Sequence, residues 1–211
     1  MKRITAILLL TALMIFILAS CNNNDVEEST STHTPAEKVE PIDISALEIG
    51  EYVSLGDYSG LEIIYSDDMT KAEAVWCKVV EGAKILKYPE QQVSYYFNQA
   101  KAKYEYMARS KNDTYENILE LLGTSEENMM SEARALTADD LIFYALLEAE
   151  NIELTDTDKE NNFDRYVAKF ISDYGYDEQY IKENMTEEIY ETMLHDKMLE
   201  RLISLNEFIA A

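Results

Sequence analysis

The chain has 211 residues, and its 41 acidic side chains outnumber its 18 lysines and arginines, which gives a formal net charge of −23. So acidic a chain is repelled by nucleic acid and by an anionic bilayer, which argues against both surfaces as partners. The length is sufficient for one sizeable domain or two small ones.

The first 20 residues have the layout of an export signal. Lys2 and Arg3 precede an apolar stretch over residues 4–18, and small residues stand directly before Cys21. This stretch is shorter than the roughly 20 residues that cross a hydrocarbon core. The sequence Leu18-Ala19-Ser20-Cys21 resembles the lipobox of bacterial lipoproteins, which predicts cleavage before Cys21, its acylation, and attachment to the extracytoplasmic face of the cell membrane. The alternative is an ordinary secretory signal.

Two segments separate the signal from the helical region. Residues 21–45 are acidic and rich in Asn, Ser and Thr, which predicts a flexible tether. In residues 46–66, Gly56 and Gly60 punctuate the chain, and apolar side chains alternate at Leu61, Ile63 and Tyr65. This pattern predicts one or two short strands.

From residue 67 to residue 211 the pattern predicts helices. The first helix is capped by Asp67 or Asp68 and ends near Gly82, and Pro89 is the first residue of the second. A third helix follows over residues 114–122, and a fourth over residues 124–150.

Two longer helices complete the predicted region, with a short helix between them. Thr155 and Asp158 have the spacing of a capping box at the start of one helix, and Gly175 ends it. Thr186 starts the last helix, whose apolar residues recur at helical spacing at Tyr190, Leu194, Met198, Leu202, Leu205 and Ile209. The sequence therefore predicts a mainly α fold with one or two short strands near its N-terminus.

Three stretches of the helical region resemble the C-terminal domain of trigger factor, an ATP-independent bacterial chaperone. Residues 136–156 are similar to the family's long arm helix and the turn after it, and residues 163–186 to its next helix pair. Tyr88-Pro89-Glu90 is similar to the entry into the first arm, and residues 55–63 to the strand that leaves the family's N-terminal domain. The resemblance implies a multi-helix arm domain, like the chaperone portion of periplasmic prolyl isomerases, that binds unfolded or newly exported polypeptides.

The chain departs from the trigger factor pattern in two places. No ribosome-docking signature precedes Leu55, so no ribosome contact is expected. The 24 residues between Ile64 and Pro89 are too few for the FKBP-like isomerase domain of the full family. The resemblance therefore implies a membrane-tethered chaperone. The alternatives are a prolyl isomerase of the same family and a non-catalytic adaptor lipoprotein with one dedicated partner.

Reactive side chains form no catalytic or metal-binding motif, so no catalytic residue, metal or cofactor is expected. His33 and His195 lie far apart in the chain, and the six glycines form no phosphate loop. Glu191 and His195, four residues apart, are interpreted as an exposed helix pair. The same solvated role is expected for the carboxylate pairs Asp67-Asp68, Glu126-Glu127, Asp139-Asp140 and Glu187-Glu188.

Tyrosine is unusually frequent, with 15 residues against six phenylalanines and one tryptophan. A tyrosine ring presents an apolar face while its hydroxyl stays in water, which suits a surface that binds many unfolded segments. A packed helix core is the alternative for each residue. The candidate client-binding side chains are Tyr96, Tyr104, Met107, Tyr144, Phe170 and Tyr190.

Overall fold

A computed structural model describes residues 34–210 of the chain, so the predicted signal, Cys21 and His33 lie outside the described residues. Within residues 34–210 helices dominate, which confirms the predicted mainly α fold with short strands near its N-terminus. The helices are α1 (Lys71–Gly82), α2 (Glu90–Lys111), α3 (Tyr115–Leu122), α4 (Glu126–Glu150), α5 (Asp156–Tyr174), α6 (Glu178–Asn184) and α7 (Thr186–Ser204). The strands are β1 (Val53–Ser54), β2 (Glu62–Tyr65), β3 (Lys84–Ile85) and β4 (Glu207–Ala210).

Most helix ends follow the local signals in the sequence. The left-handed residues Gly123 and Gly175 end α3 and α5, as predicted. Pro89 stands just before α2 as its cap. The prediction that Asp67 or Asp68 caps α1 was wrong. Thr70 caps it, because the Thr70 side chain accepts a hydrogen bond from the Glu73 N–H and Glu73 completes a capping box.

The predicted capping box at the start of α5 is confirmed, and it provides a stability test. The Asp158 N–H donates to Thr155 Oγ1 at 3.1 Å, and the Thr155 N–H donates to Asp158 Oδ2 at 3.0 Å. We expect Thr155→Ala to lower the free energy of unfolding by about 1 kcal/mol in urea denaturation, because one helix-end amide loses its partner. The matched control is Thr157→Ala, an exposed position in the same turn. A similar loss in the control would contradict the role of the cap.

The strands form two small sheets that join distant parts of the chain. In one, β1 pairs antiparallel with β3, with Val53 opposite Ile85. In the other, β2 pairs parallel with β4, with Ile63 opposite Phe208.

Strand β4 corrects the prediction that the last helix continues to Ile209. Helix α7 ends at Ser204, because the Asn206 side chain makes three hydrogen bonds that turn the chain towards β2. Its Oδ1 accepts from the Leu61 N–H at 2.8 Å. Its Nδ2 donates to the carbonyl oxygens of Tyr58 and Leu202 at 3.0 and 2.8 Å.

The main hydrophobic core lies where α1 and the C-terminal parts of α4 and α7 meet the strands. Val75, Leu146 and Leu202 are fully buried there, and Val53 and Ile63 of the strand-bearing segment pack into the same core. A second core joins α5, α6 and the first half of α7, with Ile181 and Ile189 fully buried. Helix α2 packs along α4, with α3 against α2. Helices α2 and α3 thus pack with α4, and helices α5 and α6 pack with α7.

Candidate functional site

Glu191 and His195 lie on one side of α7, beside aromatic residues of α1 and α4. The His195 ring lies 5.5 Å from the Phe143 ring of α4 and 6.1 Å from the Trp76 ring of α1, measured between centroids. Burial raises the pKa of Glu191, and the nearby carboxylates of Glu188, Asp140 and Glu187 raise it further. Both side chains nonetheless remain exposed to solvent. Their exposure agrees with the predicted exposed helix pair, and we call the surface that they share with α2 and α4 the cleft.

Tyrosines from α2 and α4 line the same cleft. Burial raises the pKa of Tyr95 and of Tyr144, and in both cases the carboxylate of Glu191 is the next largest cause. The Tyr144 ring packs edge-on against Phe143, with 5.6 Å between centroids. The cleft is therefore lined by Tyr95, Asp140, Phe143, Tyr144, Glu191 and His195.

Asp139 and Asp140 were predicted as solvated surface, and that prediction was wrong. Asp140 Oδ2 accepts hydrogen bonds from the Tyr96 hydroxyl at 2.7 Å and from Gln92 Nε2 at 3.2 Å, because α2 packs over this part of α4. Burial raises the pKa of Asp140 to about 6, against the opposing effect of these two hydrogen bonds. Burial, followed by the charge of Asp140, raises the pKa of Asp139 to about 6 as well.

The other predicted carboxylate pairs differ in whether they are exposed or bonded to neighbouring side chains. Asp67 and Asp68 are exposed, as predicted. Glu126 instead binds the buried Lys101 ammonium, with 2.7 Å between Oε1 and Nζ, and accepts a hydrogen bond from the Tyr115 hydroxyl. Glu187 and Glu188 are exposed on α7 and add to the negative field at Glu191.

The structure separates the predicted client-binding residues. Tyr144 lines the cleft, and Tyr96 lies at its edge with its hydroxyl bound to Asp140. Tyr104 and Met107 are half-buried further along α2.

Two of the predicted client-binding residues belong to the second core instead. Phe170 is 4% exposed and packs against Tyr174, so its predicted role as a client contact is corrected to a core role. The Tyr190 ring lies 5.8 Å from the Phe163 ring, with the Lys159 ammonium above it.

Sequence reasoning missed Tyr95 and Phe143 as cleft residues, although a weak signal was available. Each precedes another aromatic residue in a helix, as Tyr95-Tyr96 and Phe143-Tyr144. Neighbouring residues on a helix point about 100° apart, so both rings of such a pair seldom enter the same core. At least one ring of each pair therefore lies at the edge of the core, and here both Phe143 and Tyr144 are only partly buried against it.

The cleft combines aromatic faces with carboxylates, and this combination favours apolar groups and organic cations such as lysine and arginine side chains. Among residues 34–210 no group of three or more His, Cys, Asp or Glu side chains is arranged to hold a metal ion. In the same region no helix is both long and apolar enough to cross a membrane.

The chain matches no protein-family model, no curated protein and no solved structure. The function of the cleft is therefore inferred from its own geometry and from the sequence.

Proposed function

We propose that the protein is a membrane-tethered, extracytoplasmic chaperone that binds unfolded or newly exported polypeptides without ATP. The observation that carries the proposal is a surface on which Tyr95 and Tyr144 lie near the carboxylates of Asp140 and Glu191, with Asp140 bound to the Tyr96 hydroxyl at 2.7 Å. The similarity of the helical region to the C-terminal domain of trigger factor supports the same function. The lipobox-like sequence before Cys21 supports the location.

The proposed mechanism is reversible burial of client side chains. Aromatic faces cover apolar client groups, while the carboxylates attract client lysines and arginines and repel acidic chains. Each contact is weak, and binding of a long unfolded chain sums several of them, offset by the entropy of ordering that chain. Release follows when the client folds and its apolar groups leave the cleft.

The length of the predicted tether places the folded region away from the membrane surface. Twelve residues lie between Cys21 and Thr34, which is the first described residue. When extended, they span up to about 45 Å. An anchor at Cys21 thus allows the cleft to reach chains near the membrane without resting on an anionic surface that would repel it.

The test uses residues 22–211 and a chemically unfolded model protein in buffer without ATP. We expect suppression of aggregation at a stoichiometric ratio. A proline-limited refolding reaction in the same buffer is expected to keep its uncatalysed rate, because no isomerase domain is expected. Acceleration of that reaction would favour the prolyl isomerase. If the protein neither suppresses aggregation nor accelerates refolding, an adaptor with one dedicated partner is favoured.

A substitution tests whether the cleft binds the client. We expect Tyr144→Ala to weaken binding of an unfolded probe about fivefold in fluorescence anisotropy, because one aromatic contact worth about 1 kcal/mol is lost. The matched control is Tyr106→Ala, which removes a tyrosine that is 67% exposed on α2. Equal losses in the two variants would show that the tyrosines bind clients wherever they are exposed, and would contradict the assignment to the cleft.

A further inference from the structure

Residues 34–42, predicted as part of a flexible tether, lie as an extended strap along α2. The Ala36 N–H donates to Glu105 Oε1 at 2.7 Å, and the Glu37 N–H donates to Asn98 Oδ1 at 3.0 Å. The Ile42 N–H donates to Gln92 Oε1 at 3.1 Å. From residue 92 to residue 105 the helix rises about 20 Å, so the strap follows nearly four turns of α2.

The chain after the strap also departs from the predicted tether. The Asp43 side chain caps a short 3₁₀ turn, Ile44–Ala46, and Ile44 is buried in the main core. The tether predicted over residues 21–45 is therefore corrected from Ala36 onward, because this part is held against the folded body.

Side chains of helix α2 hold the strap by hydrogen bonds to the main chain of the strap. The three N–H donors belong to the strap backbone, and Gln91 Nε2 donates in return to the carbonyl oxygen of Glu40 at 3.1 Å. Main-chain hydrogen bonds do not depend on the identity of the bound side chains. The same α2 side chains are therefore suited to other extended segments.

The strap supplies hydrogen-bond donors to two buried polar side chains of α2. Gln92 is 4% exposed and Glu105 is 8% exposed. Buried polar groups are costly unless they are hydrogen-bonded, and the strap supplies a backbone donor to each. Strap and helix thus form a matched polar surface.

The strap also borders the cleft. After burial and Glu191, Glu40 is the next cause that raises the pKa of Tyr95. Asp43, which follows the strap directly, contributes to the raised pKa of Tyr144. Gln92, which accepts from the Ile42 N–H of the strap, also donates to Asp140 of the cleft at 3.2 Å, so the α2 surface that holds the strap adjoins the surface assigned to client binding.

We propose that residues 34–42 are an internal occupant of the client-binding surface. An extended client segment displaces the strap and takes over its hydrogen bonds to Gln91, Gln92, Asn98 and Glu105. This inference rests on the proposed function and names the class of client, which is any polypeptide in an extended conformation with free backbone amides. The apparent association constant for clients equals the intrinsic constant multiplied by the fraction of molecules in which the strap has left the surface.

The first test frees the strap without changing α2. In residues 22–211, the double variant Ala36→Pro and Glu37→Pro removes two backbone donors. We expect it to bind reduced, carboxymethylated α-lactalbumin, which cannot refold, about tenfold more tightly in fluorescence anisotropy. The matched control, Ala36→Ser and Glu37→Gln, keeps both N–H groups and is expected to bind like the unmodified chain.

The second test removes the shared acceptors on α2. In the double variant Asn98→Ala and Glu105→Ala the strap is weakened as well, but a client loses the same two partners. We expect its affinity for the probe to fall about threefold below that of the unmodified chain, in contrast to the gain in the proline variant. A gain of the same size in both double variants would show that α2 holds the strap but not the client, and would overturn the inference.

A third measurement uses the unmodified chain and does not depend on how any variant folds. We expect saturating probe to increase hydrogen exchange at residues 36–42, and a synthetic peptide of residues 34–45 to compete with the probe. Tight probe binding with neither effect would overturn the strap inference and leave the proposed chaperone function intact. Absence of probe binding in the unmodified chain and in the proline variant would overturn the proposed function itself.

Discussion

Leu146→Ala is expected to lower the free energy of unfolding by about 3 kcal/mol, because it leaves a cavity in the main hydrophobic core. Leu146 has no exposed surface and lies in the main core with Val75, Met198 and Leu202. This core joins α1, α4 and α7 to the strands, so few neighbours can move into the cavity without disturbing another element. The loss is measured by urea denaturation of residues 22–211, followed by far-ultraviolet circular dichroism. We expect a lower urea concentration at the midpoint and an unchanged slope of the unfolding free energy against urea concentration.

Leu121→Ala is the matched control for this loss. Leu121 is 71% exposed near the C-terminal end of α3. The same chemical change there is expected to alter the free energy of unfolding by less than about 0.5 kcal/mol. Equal losses of unfolding free energy at the two positions would mean that this part of α3 is buried in solution, which would contradict the exposed position of Leu121.

Asp140→Asn is expected to stabilise the protein at neutral pH. The pKa of Asp140 rises from 3.8 in the unfolded chain to about 6 in the folded protein, chiefly through burial. Between these values the folded state binds more protons than the unfolded state, so the free energy of unfolding falls as the pH rises from about 4 to about 6. The difference between these two pKa values corresponds to about 3 kcal/mol.

Asparagine removes this charge while its carbonyl oxygen still accepts from the Tyr96 hydroxyl. The carboxylate bonds to Tyr96 and Gln92 are stronger than their neutral replacements, so we expect a net gain of about 1 to 2 kcal/mol at pH 7.5. The gain should shrink towards zero at pH 4, where Asp140 is protonated in the folded state.

Thermal unfolding at several pH values measures the effect of Asp140→Asn. The matched control is Asp67→Asn, which makes the same change at an exposed position and is expected to leave the pH dependence unaltered. If the Asp140→Asn variant is less stable than the unmodified chain at pH 7.5, the ionised carboxylate holds α2 against α4. That result would overturn the argument from burial.

The same pair of aspartates shows where sequence reasoning reached its limit. On a helical wheel, Asp139 and Asp140 lie beside the polar residues of a long helix, and adjacent carboxylates are usually solvated. Their burial depends on Gln92 and Tyr96, more than 40 residues earlier in the chain. No local pattern specifies that α2 crosses α4 at this level.

The helices themselves were predictable from local signals, because their ends depend on neighbouring residues. Thr155 and Asp158 make a capping box within one turn, and Gly123 and Gly175 take left-handed conformations that most side chains resist. Apolar residues at helical spacing identified Met198 and Leu202 as buried residues of α7, but in its first half Ile189 and Met193 are buried in place of the predicted Tyr190 and Leu194. These signals determine the mainly helical class whatever the helices pack against.

Tertiary structure decided the elements that bring distant segments together. Strand β4 exists because Asn206 bonds to Leu61, 145 residues away, and turns the chain out of its helical pattern. The strap lies on α2 because Glu105 and Asn98 satisfy its backbone amides, although its composition is that of a tether. The cleft likewise joins Tyr95, Tyr144 and Glu191 from three helices. Sequence periodicity reports which face of an element is buried, but partner and register arise from the packing of the whole chain.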